Sequence, residues 1–272
     1  MRDGALRQRN ACNGAALGMR LPPRRTRTYP RSRGEMTEAD GAIATKPRGG
    51  WRRVVRWVLL VLAVLVAYPV YFVVRGVFFP PTFAVTPIQT TAVYQDTNLL
   101  AKAWELPVAR TFHATLAYQR NGSTCGPTSL SDVERSWGLS SDERSILEGT
   151  GKCWSGMCFG GLSLDEVAEI ARRNTKHKVT VLRGLNYADF RALLPRFNDP
   201  ARRYVANFQR GMLMGKGTGH FSPIGGYLEK EDLVFVLDVN KKYEPWLVEP
   251  KRLFDAIDTL AGEKKRGLLV LE

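Results

Sequence analysis

Cys125 in NGSTCGPTSL is followed, 95 residues on, by His220 in GTGHFSPIGGY and then by Asp238 in VFVLDVN. A thiol, an imidazole and a carboxylate in this order suit acyl transfer. The imidazole takes the thiol proton and returns it to the leaving amine, while the carboxylate holds the ring in the required tautomer. After Cys125, Leu130, Val133 and Trp137 recur at helical spacing, and Pro127 falls in a first turn that does not need its missing N–H. Cys125 is therefore expected at a helix N-terminus, where free N–H groups and the helix dipole favour a thiolate.

The elements that must hold these groups follow from periodicity. TNLLAKAWEL reads as a short helix, and SLDEVAEIARR as another, opened by a capping box of Ser163 and Glu166. A further helix is expected from Tyr187 to Pro195. Strand-like runs come later: 178–182, 203–208, 221–228 and 234–239, with a hairpin turn at 229–233, so that His220 and Asp238 lie near the open end of one hairpin. An amphipathic helix at KRLFDAIDTLA and a strand at GLLVLE close the chain. Helices first and strands later predict an α+β fold, with a helical lobe and an antiparallel-sheet lobe.

The front of the chain is of another kind. Residues 57–74, WVLLVLAVLVAYPVYFVV, carry no charge and follow Arg52, Arg53 and Arg56. The run is long enough to span a bilayer, and Pro69 is tolerated there. Residues 1–56 hold 14 Lys or Arg against 4 acids, most of the formal charge of +14. The basic pI thus belongs to a tail placed as the positive-inside rule requires, which argues against a nucleic-acid partner. The expected organisation is a disordered cytoplasmic tail at 1–56, a transmembrane signal-anchor helix at 57–79, a linker at 80–96 and a catalytic domain at 97–272. That domain would lie in the periplasm of a single-pass inner membrane protein. A cleaved signal peptide is the competing reading, because Thr82-Phe83-Ala84 loosely resembles a cleavage site.

Of the 4 cysteines, Cys12 lies in the tail and Cys125 stands apart. Cys153 and Cys158 in CWSGMC are near neighbours, open to a local disulfide or to a soft metal. With 3 histidines and no zinc-ligand spacing, no protein metal site is legible.

The flanking residues narrow the chemistry. KGTGHFSPIGGY, LDVNKKYEPWLV and NGSTCGPTSLSDV resemble the histidine, aspartate and cysteine segments of phytochelatin synthases, a likeness covering residues 110–272. The resemblance implies a papain-like cysteine protease fold, with Cys125 as nucleophile, His220 as general base and acid, Asp238 as the orienting acid and Gln119 as oxyanion donor beside the Cys125 N–H. It further implies that Asn207 and Arg210, in N-x-x-R, hold the glutamyl end of the substrate. Lys241 stands where the family commonly has an arginine, keeping the charge without the bidentate fork.

The implied substrate is glutathione, cleaved at its Cys–Gly bond through a γ-glutamylcysteinyl thioester on Cys125. The acyl group then passes to water, or to a second glutathione to make phytochelatin. The chain stops at Glu272, before the cysteine-rich extension of plant-type members, so hydrolysis is the expected main outcome. No cofactor is required, and cadmium or zinc would enter as thiolate complexes of the substrate. The expected partners are glutathione, the membrane and, at most, a second copy in a homodimer. Two alternatives stay open: a papain-like peptidase acting on extracytoplasmic peptides, and an inactive thiol- or metal-binding membrane module.

Overall fold

The computed structural model describes residues 49–78 and 81–272. The expected tail at 1–56 falls almost wholly outside them. Helix α1 (Gly49–Phe78) contains the apolar run, and its stretch Gly50–Tyr71 is long and apolar enough to cross a membrane, with its side chains exposed. It begins several residues before the expected span.

The helical layer comprises α2 (Thr97–Trp104), α3 (Pro107–Phe112), α4 (Cys125–Ser136), α5 (Glu143–Leu147) and α6 (Leu164–Asn174). Asp96 caps α2 by accepting from the Leu99 N–H. The capping box of α6 forms as expected, Ser163 accepting the Glu166 N–H and Glu166 accepting the Ser163 N–H.

Next come β1 (Val179–Arg183), α7 (Tyr187–Leu193), β2 (Arg203–Gln209), α8 (Arg210–Met214), β3 (Gly219–Leu228), β4 (Leu233–Val236), β5 (Trp246–Val248) and α9 (Pro250–Ile257). The short pair β6 (Leu260–Ala261) and β7 (Lys264–Lys265) precedes β8 (Gly267–Leu271). Six strands make one antiparallel sheet in the order β1-β8-β2-β3-β4-β5.

Side chains alternate across this sheet because successive strand residues point to opposite faces. Val205, Phe235, Leu247, Leu269 and Leu271 pack with Phe112, Leu130, Val133 and Ile170 of the helical layer. Tyr204, Ala206, Phe208, Val234, Val236, Leu268 and Val270 face a second core with Phe190, Leu253 and Phe254. The sheet is thus buried on both faces, and α4 lies against one of them.

The expected linker is not free of the domain. Ile88 is fully buried, Tyr94 nearly so, and the Tyr94 carbonyl accepts from the Leu247 N–H. A short 3-10 turn at Ile88–Thr90 packs there. The apolar residues are too sparse in this Thr- and Pro-rich stretch to show periodicity, so only the packing reveals that the domain begins before residue 97.

Candidate active site

Cys125 is the first residue of α4, and its thiol is buried and free. Pro127 occupies the first turn without loss, since N–H groups there have no intrahelical acceptor. Gly126 allows the close approach of α6: a Cβ on it would meet Val167 Cγ2 at 2.8 Å. Thr124 and Thr128, flanking the thiol, both donate to Glu143 Oε1 on α5 at 3.2 and 2.5 Å.

His220 is the second residue of β3, directly across from Phe208 of β2. Asp238 lies two residues beyond the end of β4, a correction to the expected strand at 234–239. A bulge between Ile224 and Gly226 shortens the regular pairing, yet the Leu237 N–H still donates to the Pro223 carbonyl at 2.9 Å. Continuing the pairing of Ile224 with Val236 places His220 and Asp238 on one face as diagonal neighbours. His220 Nε2 lies 2.8 Å from Asp238 Oδ1. The carboxylate partner makes Nε2 the protonated nitrogen and leaves Nδ1 to the thiol.

Asp238 is fully buried and accepts from four groups. Besides His220, these are Arg210 Nη2 at 3.1 and 3.2 Å to its two oxygens, the Asn240 N–H at 2.9 Å, and Trp246 Nε1 at 3.1 Å. Burial alone would favour the neutral acid. The His220 charge and hydrogen bond, Arg210 and the Asn240 N–H outweigh it and hold the carboxyl well below the usual range.

The thiol and imidazole shift in opposite directions. Burial opposes ionisation of Cys125, but the His220 charge and hydrogen bond, the Phe221 N–H and Arg210 together lower its pKa. Burial likewise opposes the imidazolium, but Asp238 and the Cys125 thiolate outweigh both burial and Arg210, and the His220 pKa is raised. Such a pair favours thiolate and imidazolium together.

Gln119 is anchored beside this cluster, its N–H donating to the Val239 carbonyl at 2.7 Å. Its Nε2 donates to the Asn121 carbonyl at 2.9 Å, and its buried Oε1 has no partner among the described residues. A carboxamide with one end unsatisfied beside the Asp238–Val239 segment marks a place for a further polar group.

The structure places both residues of the expected substrate clamp against the His220–Asp238 pair. Arg210 reaches both oxygens of Asp238 through Nη2 alone, its buried Nε has no partner among the described residues, and its guanidinium carbon lies 4.4 Å from the Tyr243 ring centroid. Asn207 donates to the His220 carbonyl at 3.3 Å and accepts from Arg266 Nη1 at 3.4 Å. Both side chains thus hold the His220–Asp238 pair, because β2 runs directly beside β3. Lys241 is exposed in the loop after Asp238 and joins none of these contacts.

Two participants escaped the sequence reading. Trp246 lies inside KYEPWLV, and its indole N–H is spent on Asp238. Arg266 precedes β8, and burial lowers its pKa while the Cys125 thiolate charge raises it, so it is close enough to sense the nucleophile. Its Nε has no partner among the described residues. Its only sequence signal was a basic residue before a final strand, which is common. Also among the described residues, no group of three His, Cys, Asp or Glu is placed to hold a metal ion.

A cysteine at a helix start, set against a histidine–aspartate pair at the end of a buried antiparallel sheet, defines an α+β domain with a Cys–His–Asp site. Residues 88–268 match the family model described as phytochelatin synthase, and the chain belongs to that family. Glutathione gamma-glutamylcysteinyltransferase 3 of Lotus japonicus is 35% identical over 117 residues, 41% of this chain and 24% of that protein. Glutathione gamma-glutamylcysteinyltransferase of Schizosaccharomyces pombe is 30% identical over 118 residues, 41% of this chain and 28% of that protein. The chain thus matches about a quarter of the length of these curated relatives. Among solved structures, a C39-like peptidase from Bacillus anthracis aligns at 12% identity with a TM-score of 0.44, covering 59% of this chain and 95% of that chain.

Proposed function

We propose that the domain is a glutathione-cleaving cysteine acyltransferase, with Cys125 as nucleophile and His220 and Asp238 as its acid–base pair. The observation that carries this reading is the free Cys125 thiol at the start of α4, electrostatically coupled to a histidine 2.8 Å from a buried carboxylate. The thiolate attacks the Cys–Gly carbonyl, and the oxyanion is met by the Cys125 N–H and the Gln119 carboxamide. One N–H of that carboxamide is held by the Asn121 carbonyl, and the other is the donor to the oxyanion.

His220 Nδ1 then gives its proton to the departing glycine amine, leaving the γ-glutamylcysteinyl thioester. Water is the main acceptor, activated by the same Nδ1, and a second glutathione is the minor one. Arg266 is assigned to a substrate carboxylate, beside Arg210: both sense the Cys125 charge, and each keeps a buried Nε without a partner among the described residues. Cadmium and zinc belong to this scheme as thiolate complexes of the substrate.

The apolar helix is assigned as a membrane anchor, with the Arg-rich segment on the cytoplasmic side and the catalytic domain on the other. A fusion reporter on the C-terminus that is active only in the cytoplasm would overturn that orientation. The chemistry is tested by incubating purified full-length protein with glutathione, with and without cadmium. Glycine, γ-glutamylcysteine and a smaller yield of phytochelatin are expected, and none from Cys125→Ser. Intact glutathione alongside cleavage of unrelated peptides would sink the reading.

A further inference from the structure

The loop leading to the nucleophile is braced by a disulfide hairpin that the acyl-transfer scheme does not use. Trp154 and Met157 exchange two backbone hydrogen bonds, at 3.0 and 2.9 Å. Between them Ser155 and Gly156 take φ values of 49° and 75°, and a type I′ turn needs both positive. The residues flanking such a hydrogen-bonded pair face one another where the strands come closest. Cys153 and Cys158 occupy that position, joined as a disulfide with Cα atoms 4.4 Å apart.

Two hydrogen bonds tie this hairpin to the nucleophile loop. Asn121 Nδ2 donates to the Gly156 carbonyl at 3.0 Å, and the Cys158 N–H donates to Ser123 Oγ at 3.0 Å. The Asn121 carbonyl in turn holds Gln119 Nε2. Hairpin, Asn121 and Gln119 form one connected chain within the loop that leads to Cys125.

The two sulfurs differ in access. Cys158 is buried, whereas Cys153 is partly exposed and lines a cavity of about 800 Å³. That volume is ample for a tripeptide-sized molecule. Arg120 and Arg144 also line it, and among the described residues neither forms an ion pair. Three acids share the wall: Asp142 accepts the Ser145 N–H at 2.7 Å and senses the Arg120 charge, Glu143 accepts from Thr128, and Glu148 is exposed to solvent. The wall therefore offers an accessible disulfide sulfur beside two guanidinium groups that form no ion pair among the described residues.

We propose that Cys153–Cys158 is a thiol-exchange site, served by this cavity for small thiols bearing carboxylates, and that exchange there loosens the Gln119 loop. The incoming thiolate attacks Cys153 Sγ, forming a new S–S bond as the Cys153–Cys158 bond breaks. The electron pair leaves on Cys158 Sγ, which takes up a proton. A second thiol molecule then displaces Cys153 and departs with the first as their symmetrical disulfide, so two thiols are oxidised and one protein disulfide is reduced. Opening the ring restores conformational freedom to 153–158, and with it the order of the Gly156 carbonyl and Cys158 N–H is lost. The site does not depend on glutathione being the acyl donor at Cys125.

The test uses full-length protein carrying Cys125→Ser, so that acylation cannot interfere. It is exposed to reduced glutathione, or to glutathione diethyl ester at equal thiolate concentration, and freed thiols are trapped with iodoacetamide and mapped by mass. A mixed disulfide on Cys153 and an alkylated Cys158 are expected. Opening by glutathione should run about tenfold faster than by the ester, the scale of one charge-assisted contact. Replacing Arg120→Ala and Arg144→Ala together should abolish the difference. Hydrogen exchange at amides 119–124 should rise roughly fivefold on opening. Equal rates for the two thiols, an adduct on Cys158, a disulfide that stays closed, or unchanged exchange after opening would each overturn the proposal. None of these readouts needs turnover, so failure of the protein to cleave glutathione would bear on the acyl-transfer reading alone.

Discussion

Arg210 Nη2 sits 3.1 Å from one carboxylate oxygen of Asp238 and 3.2 Å from the other. The same carboxylate already orients the His220 ring. Its lone pairs are filled by Arg210, the Asn240 N–H and the Trp246 indole, so His220 faces an acid that stays ionised. The positive charge of Arg210 also acts further: it opposes the imidazolium and supports the thiolate.

Replacing Arg210→Gln tests that position. Loss of its charge should raise the pKa of both Cys125 and His220, since Arg210 lowers each. Both limbs of the pH profile of kcat/KM therefore move to higher pH, and kcat falls. A residue that merely held substrate would raise KM and leave both limbs in place, so the profile separates the two roles.

The unsubstituted protein should show a window set by the same pair. The thiolate–imidazolium form is populated above the lowered Cys125 pKa and lost above the raised His220 pKa. Alkylation of Cys125 by iodoacetamide is expected well below the ordinary thiol range. In His220→Ala that acidic reactivity should vanish and labelling should follow a single higher pKa. Identical labelling curves for the two proteins would contradict the coupling.

Much of this site was legible because its groups lie in short local signals. Pro127 and the 130, 133, 137 spacing place Cys125 at a helix start, and alternation from 203 to 239 places His220 on a strand. What the sequence withheld is pairing between distant strands. Phe208 faces His220 across β2 and β3, and β8 returns from the far end of the chain to lie beside β2, carrying Arg266 toward Asn207. Such neighbours depend on sheet order, which periodicity does not specify. The same limit hid the contact of Arg210 with Asp238. The three-residue β5 and five-residue α5 are too short to show a period.

Trp246 gives a prediction on stability. Trp246→Phe removes the donor to Asp238 Oδ2 while keeping most of the ring that packs edge-on against Phe208 at 5.9 Å. Losing one hydrogen bond to a buried charge should cost roughly 1.5–3 kcal/mol, measured by denaturant unfolding. The alkaline limb should also move slightly to higher pH, because a carboxylate with one donor fewer presents more of its charge to the imidazolium.

Gly126 tests how α4 is seated. A Cβ there would approach Val167 Cγ2 to 2.8 Å, so α4 or α6 must shift. Gly126→Ala should destabilise the fold by about 1–3 kcal/mol, the usual cost of overpacking. Because Cys125 is the adjacent residue, the shift should also slow Cys125 alkylation at pH 6. Unchanged stability and labelling would mean that the two helices yield without moving the thiol.

Arg266 and Gly219 can be tested as a pair. The Arg266 guanidinium occupies the space above Gly219, where a Cβ would lie 2.3 Å from Nη1, and Gly219 precedes His220 directly. Gly219→Ala must therefore displace the guanidinium, while Arg266→Gln removes its charge and leaves the space. If Arg266 binds a substrate carboxylate, both variants should raise KM for glutathione by about tenfold or more, with a smaller effect on an esterified substrate. Arg266→Gln should change kcat less than KM, because the His220–Asp238 contact is left intact. A fall in kcat alone, equal for free and esterified substrate, would instead assign Arg266 to holding Asn207 and the backbone of His220.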